Sequence, residues 1–160
     1  MLPAALRVTF EPAMADDAEA LVAIRIAAMR ESLERLGRFD PQRARDRFLT
    51  GFEPALTRHV LADGERVGLV VVRPQDDGLL LDHLYLLPRV QGRGIGAAVL
   101  AEVLARADAS RLPVRVGALR GSDANRFYAS HGFELVAEGE FDNHYLRAAV
   151  PAAGRGQSQL

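Results

Sequence analysis

The 160-residue sequence contains neither cysteine nor lysine. Without cysteine the chain cannot form disulfide bonds, thiolate metal sites or a cysteine nucleophile. All 20 residues of the lysine and arginine class are arginines, so no lysine is available as a Schiff base, a phosphate ligand or a site of self-acetylation. Any phosphate site in this chain must therefore be built without lysine.

The sequence also lacks a long apolar run and a strong charge of either sign. No apolar run approaches the ~20 residues that cross a bilayer, and residues 1–10 do not combine a basic segment with a long apolar one as a signal peptide does. We therefore expect a cytoplasmic protein. The formal net charge of −1 gives no reason to expect a nucleic acid or a membrane as partner.

The composition is that of a folded domain. Hydrophobic residues make up 49% of the sequence and charged residues 26%, a balance that argues against wholesale disorder. The length allows one compact domain with its own core. We expect this domain over residues 1–150 and a disordered tail over residues 151–160, which are mostly small and polar.

Apolar periodicity, helix caps and turn residues predict a mixed α/β domain. Asp63-Gly64 is a strong hairpin turn and Asp40-Pro41 is a helix start signal. The first helix is expected to carry an inner apolar row that ends at Leu36. Asp16 or Asp17 is expected to cap the first helix. The predicted order is strand 6–12, a helix from that cap to about residue 36, helix 40–51, strands 59–62 and 66–73, a turn at 74–78, strand 79–87, helix 94–109, strand 114–119, helix 122–131, and strands 133–138 and 141–147.

The most informative segment joins strand 79–87 to the following helix and has glycines at positions 92, 94 and 96. Glycine lets the backbone come close to a ligand. The free N–H groups of the loop and the first helical turn, with the positive end of the helix dipole, can bind a diphosphate, and Arg93 can add charge at the rim. The alternative is a glycine-rich turn without a ligand. The spacing differs from the dinucleotide fingerprint, and a lysine-bearing P-loop is excluded.

Residues 91–96 read Q-G-R-G-I-G and match a Q/R-x-x-G-x-G/A signature, through which the sequence resembles the GNAT superfamily of acetyltransferases. Residues 84–88 resemble that family's fourth strand. Residues 124–133 resemble its A-x-x-F-Y-x-x-x-G-F segment, and the likeness extends over roughly residues 8–147. The resemblance implies a single α/β domain whose central mixed, largely antiparallel sheet is splayed between strands 4 and 5 and flanked by about four helices.

The resemblance further implies acetyl-CoA as co-substrate, without a metal. Its pantetheine arm would pair with the fourth strand, where a backbone amide would polarise the thioester carbonyl, and its diphosphate would lie on the loop amides. The implied CoA-binding residues are Leu84, Tyr85, Leu86, Gln91, Gly92, Arg93, Gly94, Ile95, Gly96 and Ala97. Many relatives carry an asparagine where this chain has Gly121. Asn125 is a candidate CoA contact instead; otherwise it is simply a polar helix residue.

In this family the acceptor amine attacks the thioester directly, so the proton transfers are the remaining tasks. Tyr128 occupies the position of the family's general acid; the alternative is an aromatic packed in the core beside Phe127. Asp82 shares a strand face with Leu84 and Leu86 and interrupts an apolar run. It is our candidate base, and the alternative is an ion pair with an arginine. His83, on the opposite face, is a weaker candidate, and a water chain is another.

The resemblance implies a small-molecule or peptide amine as acceptor, bound between the two N-terminal helices and the last strands. Glu31 and Glu34 are candidates to receive a cationic amine, although such charges are more often a solvated helix face. His144 and Tyr145 are candidates to border the cleft. Two other functions stay open: an acyl-CoA-binding regulatory module without catalysis, and a transferase that uses another acyl group or acceptor. Family habit favours a homodimer.

Overall fold

The computed structural model describes residues 6–151 and contains, within them, the predicted order of strands and helices. Three short 3-10 turns, at Ala15–Asp17, Pro54–Leu56 and Pro88–Val90, were not expected. The tail predicted over residues 151–160 lies outside the described residues apart from Pro151. The strands are β1 (Val8–Pro12), β2 (Thr57–Ala62), β3 (Glu65–Gln75), β4 (Gly78–Leu86), β5 (Val114–Leu119), β6 (Glu134–Glu138) and β7 (Asp142–Arg147). The helices are α1 (Ala18–Arg35), α2 (Pro41–Thr50), α3 (Ile95–Ala109) and α4 (Ala124–Ser130).

The seven strands form one sheet in the order β1-β2-β3-β4-β5-β7-β6. Strand β4 pairs with β5 in parallel, and the pairs β1–β2, β2–β3, β5–β7 and β6–β7 are antiparallel. The parallel ladder joins residues 79–81 to residues 114–116, although β4 continues to Leu86 and β5 to Leu119. This mixed, largely antiparallel sheet confirms the predicted fold class.

The residues pack as two compact units. Within the described residues, the first comprises residues 6–72 and Asp82–Ala101, and the second comprises Arg73–Leu81 and residues 102–151. The core of the first unit is formed by Ala13, Leu21, Val22, Phe48, Leu69 and Val71. The apolar residues buried in the second unit include Val114, Val116, Ala118, Tyr128, Phe133 and Tyr145. Within residues 6–151, no helix combines the length and the apolar character needed to cross a membrane.

Local sequence signals account for several element boundaries. The Asp40 carboxylate accepts a hydrogen bond from the Arg43 N–H at 3.1 Å, and Pro41 is the first residue of α2, as predicted. Asp63 and Gly64 have φ values of +49° and +83°, which fit the predicted two-residue hairpin turn between β2 and β3. These short signals therefore fixed both the start of α2 and the register of the hairpin.

Three local predictions are wrong. Pro74 lies inside β3 and not in a turn; the ladder between β3 and β2 ends at Val71, so the N–H that proline lacks is not needed there. Leu36 does not belong to a buried apolar row of α1: the helix ends at Arg35, and Leu36, the residue after it, is 40% exposed. Asp17 stands at the N-terminus of α1 without capping it by its side chain; its carboxylate instead accepts hydrogen bonds from the Met14 N–H and from His59.

Candidate functional site

The loop after β4 is fastened to the strand at its base. The Gln91 side chain donates to the Leu86 carbonyl at 2.9 Å, and the Gln91 N–H donates to the Pro88 carbonyl at 3.2 Å. The Leu87 N–H donates to the Val67 carbonyl at 2.8 Å. Gln91, the first residue of the signature, therefore anchors the loop to β4.

Beyond Gln91 the backbone turns into α3 through two glycines with positive φ. Gly92 and Gly94 have φ values of +78° and +82°, and a Cβ built on either would meet no atom within 4 Å. The first N–H bonded inside the helix is that of Ala98, which donates to the Gly94 carbonyl at 3.1 Å. Glycine is required here for the backbone conformation, and the space beside it is open.

The backbone N–H groups of residues 92–97 donate to no acceptor within the part of the chain that the structure describes. Those of Ile95, Gly96 and Ala97 belong to the first turn of α3, where the helix dipole contributes partial positive charge. A 15-residue helix that begins with such donors fits an anionic group such as a diphosphate. Arg93 is exposed beside them. The predicted loop residues thus lie together at one helix terminus.

A β-bulge lies beside the end of β4. Val60 is opposite Gly68 and Leu61 is opposite Arg66, which leaves Val67 as the extra residue whose carbonyl receives the Leu87 N–H. A Cβ built on Gly68 would lie 2.5 Å from the Tyr85 carbonyl oxygen. Bulges redirect a strand and are common near functional sites. This one brings the β3 backbone close to Tyr85, and no pattern in the sequence predicts it.

The predicted β4 residues lie in one partly buried stretch. Leu84, Tyr85 and Leu86 are half-buried. The Asp82 side chain is 31% exposed, and its Oδ2 lies 3.7 Å from Nε2 of His83. The role of Asp82 as general base stays a prediction. The His83 imidazole lies beside its carboxylate.

Aromatic rings from α2 and β4 pack beside this stretch. The His83 ring lies 5.4 Å from Phe48 and 5.6 Å from Tyr85, measured between ring centroids. Arg25 of α1, 5% exposed, donates through Nη1 to the Ala44 carbonyl, and its Cζ lies 5.8 Å from the Tyr85 centroid. Arg25 is not among the residues predicted from the sequence. Its position four residues after Leu21, on the inner side of the helix, was the signal that could have found it.

In the second unit, Tyr128 is 5% exposed and its ring packs against Phe127 and Phe133 at centroid distances of 5.2 and 5.5 Å. This packing agrees with the core-aromatic alternative, and the role of Tyr128 as general acid stays a prediction. Tyr145 is also buried, whereas His144 is exposed. Of these two candidates for the cleft, only His144 therefore presents its side chain to solvent.

Asn125 joins three elements of the second unit. Its Nδ2 donates to the carbonyls of Leu119 and Ser122, both at 2.9 Å. Its Oδ1 accepts from Asn143 Nδ2 and from the Tyr145 hydroxyl, also at 2.9 Å. These bonds use both amide hydrogens and both lone pairs of the oxygen. Contact between Asn125 and CoA stays a prediction, and its side chain is already engaged by the end of β5 and by β7.

One of the two candidate glutamates on α1 forms an ion pair. Glu34 lies 3.3 Å from Arg30 one turn earlier, and both side chains are more than half exposed. Glu31 is exposed as well. These features agree with the solvated-face alternative for the two glutamates. Among residues 6–151, no group of three or more histidine, aspartate or glutamate side chains gathers in a way that could hold a metal ion.

Known proteins resemble the chain in sequence and in fold. The family model described as an acetyltransferase (GNAT) domain matches residues 56–135. Uncharacterized N-acetyltransferases of Mycobacterium tuberculosis and Mycobacterium bovis are 41% identical to the chain over 76 residues, which are 46% of this chain and 49% of each relative. The chain thus spans about half the length of the curated relatives it matches.

Two crystal structures share the fold at low sequence identity. PaiA N-acetyltransferase from Thermoplasma acidophilum, in complex with coenzyme A, has a TM-score of 0.73 and 15% identity, over 89% of this chain and 99% of that one. An acetyltransferase from Thermus thermophilus has a TM-score of 0.70 and 20% identity, over 89% of this chain and 97% of that one. The family match covers half of the chain and includes β4 and the glycine loop. The chain therefore belongs to the GNAT family of acetyltransferases.

Proposed function

We propose that the chain transfers the acetyl group of acetyl-CoA to a primary amine of a small molecule or peptide, by direct attack within a ternary complex. The observation that carries this proposal is the run of backbone N–H groups at residues 92–97, which have no acceptor within the described residues. The oxygens of the CoA diphosphate would accept from these groups at the positive end of α3. Binding by backbone groups suits a chain that has no lysine.

The acyl-pantetheine arm would continue from the loop along β4. Residues 84–86 lie just before the loop, and the parallel ladder with β5 has ended at Leu81. Their backbone groups would hydrogen-bond the arm, and one N–H would donate to the thioester oxygen. Such a donor stabilises the negative charge that develops on this oxygen and contributes roughly 10²-fold or more in rate.

The chemistry then needs two proton transfers. The amine nitrogen attacks the thioester carbon and forms a tetrahedral intermediate, whose collapse breaks the C–S bond. Asp82 would accept the proton that the amine loses, directly or through water, and Tyr128 would protonate the departing CoA thiolate. No covalent bond to the protein is required, which agrees with the absence of cysteine.

The first test is calorimetric titration with acetyl-CoA of the native chain and of two variants, Gly96→Glu and Ala98→Glu. Both positions lie in the first turn of α3. Neither Gly96 nor Ala98 has a positive φ, so a glutamate at either position does not strain the backbone. We expect Gly96→Glu to weaken binding about tenfold or more, because its carboxylate repels the diphosphate. The exposed Ala98 lies one position past the N–H groups without acceptors, so Ala98→Glu should bind nearly as the native chain does.

Equal affinity of the native chain and Gly96→Glu for acetyl-CoA, with melting temperatures unchanged, would contradict the loop assignment.

Where acetyl-CoA binds, a panel of amines is assayed with the native chain and with Tyr128→Phe. The phenylalanine keeps the ring packing against Phe127 and Phe133. We expect kcat to fall roughly 10²-fold with acetyl-CoA affinity unchanged. Unchanged kcat would remove Tyr128 from the mechanism.

A further inference from the structure

Arg25 is a buried arginine without a counter-charge. It is 5% exposed and forms no ion pair within residues 6–151. Its only hydrogen bond there is from Nη1 to the Ala44 carbonyl, and its Nε is buried without a partner. Surface arginines of the same chain, by contrast, pair with carboxylates: Arg30 with Glu34, Arg45 with Glu19, Arg89 with Glu65 and Arg115 with Asp77.

This distribution of charges is the reverse of what solvation favours. An exposed arginine loses little without a partner, because water solvates it, whereas burying a cation without an anion is strongly unfavourable. Residues 1–5 and 152–160 contain no aspartate or glutamate that could supply the missing charge. The Tyr85 ring, 5.8 Å from Cζ, offers a cation–π contact, which offsets only part of this cost.

The surroundings of Arg25 connect it to the proposed acyl-CoA strand. Tyr85, which the guanidinium approaches, is one of the β4 residues whose backbone is proposed to bind the acyl-pantetheine arm. The rings of Phe48 and His83 pack beside Tyr85 as an aromatic wall contributed by α2 and β4. An arginine beside such a wall can bind a planar carboxylate through two parallel hydrogen bonds, and Nε is one of the donors that this geometry uses.

We propose that Arg25 binds a carboxylate carried by the amine acceptor, so that the acceptor is an amino acid or a similar amino-carboxylate. This inference rests on the proposed function and assigns it a substrate class. The guanidinium then has a role that its burial alone does not explain: the substrate supplies the anion that the fold omits. The Ala44 carbonyl holds Nη1 and orients the remaining donors.

The experiment compares L-alanine, L-phenylalanine and L-arginine with their own carboxamides as acceptors, at saturating acetyl-CoA. It uses the native chain, Arg25→Met, Arg25→Lys and the control Arg30→Gln, whose arginine is 60% exposed on the same helix. The ratio of native to variant kcat/KM for each probe cancels the intrinsic reactivity of its amine. We expect Arg25→Met to lose about tenfold or more with the amino acids and less than about twofold with the carboxamides. Arg25→Lys should fall between, and Arg30→Gln should change neither.

Melting temperature separates substrate binding from a role in packing. Arg25→Met removes an uncompensated buried charge, so we expect its melting temperature to stay at or above that of the native chain. An N-acetyl amino acid, used as a product-like ligand, should raise the melting temperature of the native chain more than that of Arg25→Met.

Equal losses for amino acids and carboxamides, or a lower melting temperature with unchanged ratios, would overturn the inference and leave Arg25 as a packing residue between α1 and α2. Should no form bind acetyl-CoA, the proposed function fails and the inference falls with it. Should acetyl-CoA bind and amines be acetylated with no preference for a carboxylate, the inference alone fails. Should Arg25→Met not fold, Arg25→Lys decides by the same ratios.

Discussion

At the scale of single residues, Gly68 is a position in β3 where the neighbouring β4 leaves no room for a side chain. A Cβ there would lie 2.5 Å from the Tyr85 carbonyl oxygen and 2.6 Å from Cδ2 of Leu86. A flexible side-chain end can move aside, but a strand carbonyl cannot move without its hydrogen-bonding neighbours. The size of residue 68 therefore sets the position of the β4 backbone at residues 85 and 86.

We predict that Gly68→Ala destabilises the fold by about 1–3 kcal/mol, as overpacking does, and weakens acetyl-CoA binding because residues 85 and 86 shift. The control is Gly117→Ala, where the new Cβ would meet its nearest atom at 3.8 Å, an ordinary contact. Denaturant unfolding and acetyl-CoA titration check both variants. A Gly68→Ala protein with native stability and affinity would mean that the approach of the two strands is not constrained.

Individual residues differ in how far the sequence reveals them. The glycines of the loop were identified because their spacing and the following helix are local properties. Gly68 and the contacts of Asn125 were not, because each depends on a segment distant in sequence, β4 and β7 respectively. Arg25 has a local signal, its place on the inner side of α1, but its contact with the Ala44 carbonyl again depends on a distant segment. Arginine side chains are usually exposed, so the amino-acid composition gives no reason to expect a buried one.

At the scale of elements, Asn125 holds α4 to the ends of β5 and β7. The hydrogen bonds that do so are made by its side-chain amide, to the Leu119 carbonyl and to the side chains of Asn143 and Tyr145. Gly121, in the turn before α4, has a φ of +84°, a conformation that glycine and asparagine adopt most readily.

We predict that Asn125→Ala lowers the free energy of unfolding by about 1–3 kcal/mol, since it leaves several partly buried groups without partners. Asn125→Asp should cost more, because a carboxylate would face the Leu119 and Ser122 carbonyl oxygens. Arg126→Ala, at the exposed neighbouring position, serves as the control and should change stability little. Thermal unfolding measures all three. Stability of Asn125→Ala equal to that of Arg126→Ala would refute the role assigned to the amide.

The elements themselves were largely predictable because their signals are local. The Asp40-Pro41 start, the Asp63-Gly64 turn and the limits of β5 all agree with the sequence pattern. The errors arise where a distant partner intervenes. Asp17 leaves its helix uncapped because His59, 42 residues away, takes its carboxylate, and Pro74 is tolerated in β3 because β2 has ended.

At the scale of the whole molecule, several carboxylates are held ionised by long-range partners. The hydrogen bond from His59 is the main cause that lowers the pKa of Asp17 below its ordinary 3.8, followed by the Met14 N–H. A hydrogen bond from Arg45 lowers the pKa of Glu19 below 4.5, and one from Arg147 lowers that of Asp108 below 3.8. The folded state therefore binds fewer protons than the unfolded chain in moderate acid.

We predict that this contribution to stability is fully present above pH 4.5 and is lost as the pH falls through 3.8 toward the lowered values in the fold, because the unfolded chain is protonated first. The double variant Asp17→Asn, Asp108→Asn should be less stable at neutral pH and should lose less stability on acidification. Melting temperatures measured from neutral to acid pH check this. Parallel curves for the native chain and the double variant would contradict it.

The arrangement of the whole sheet was the least accessible to sequence reasoning. Chain order suggests β6 beside β5, but β7 lies between them and pairs with both. The order depends on ladders between strands separated by α4 and a turn, which no local pattern specifies. Only the family resemblance supplied the mixed sheet in advance.

The amide of Asn125 also has a consequence for evolution. A side chain that satisfies partners on two strands and a turn cannot be replaced alone without leaving them unpaired. Among homologues we therefore expect positions 125, 143 and 145 to change together: a lineage that loses the asparagine should also lose the polar groups that it binds. Correlated substitution at these positions would be the trace that this hydrogen-bond network leaves in sequence history.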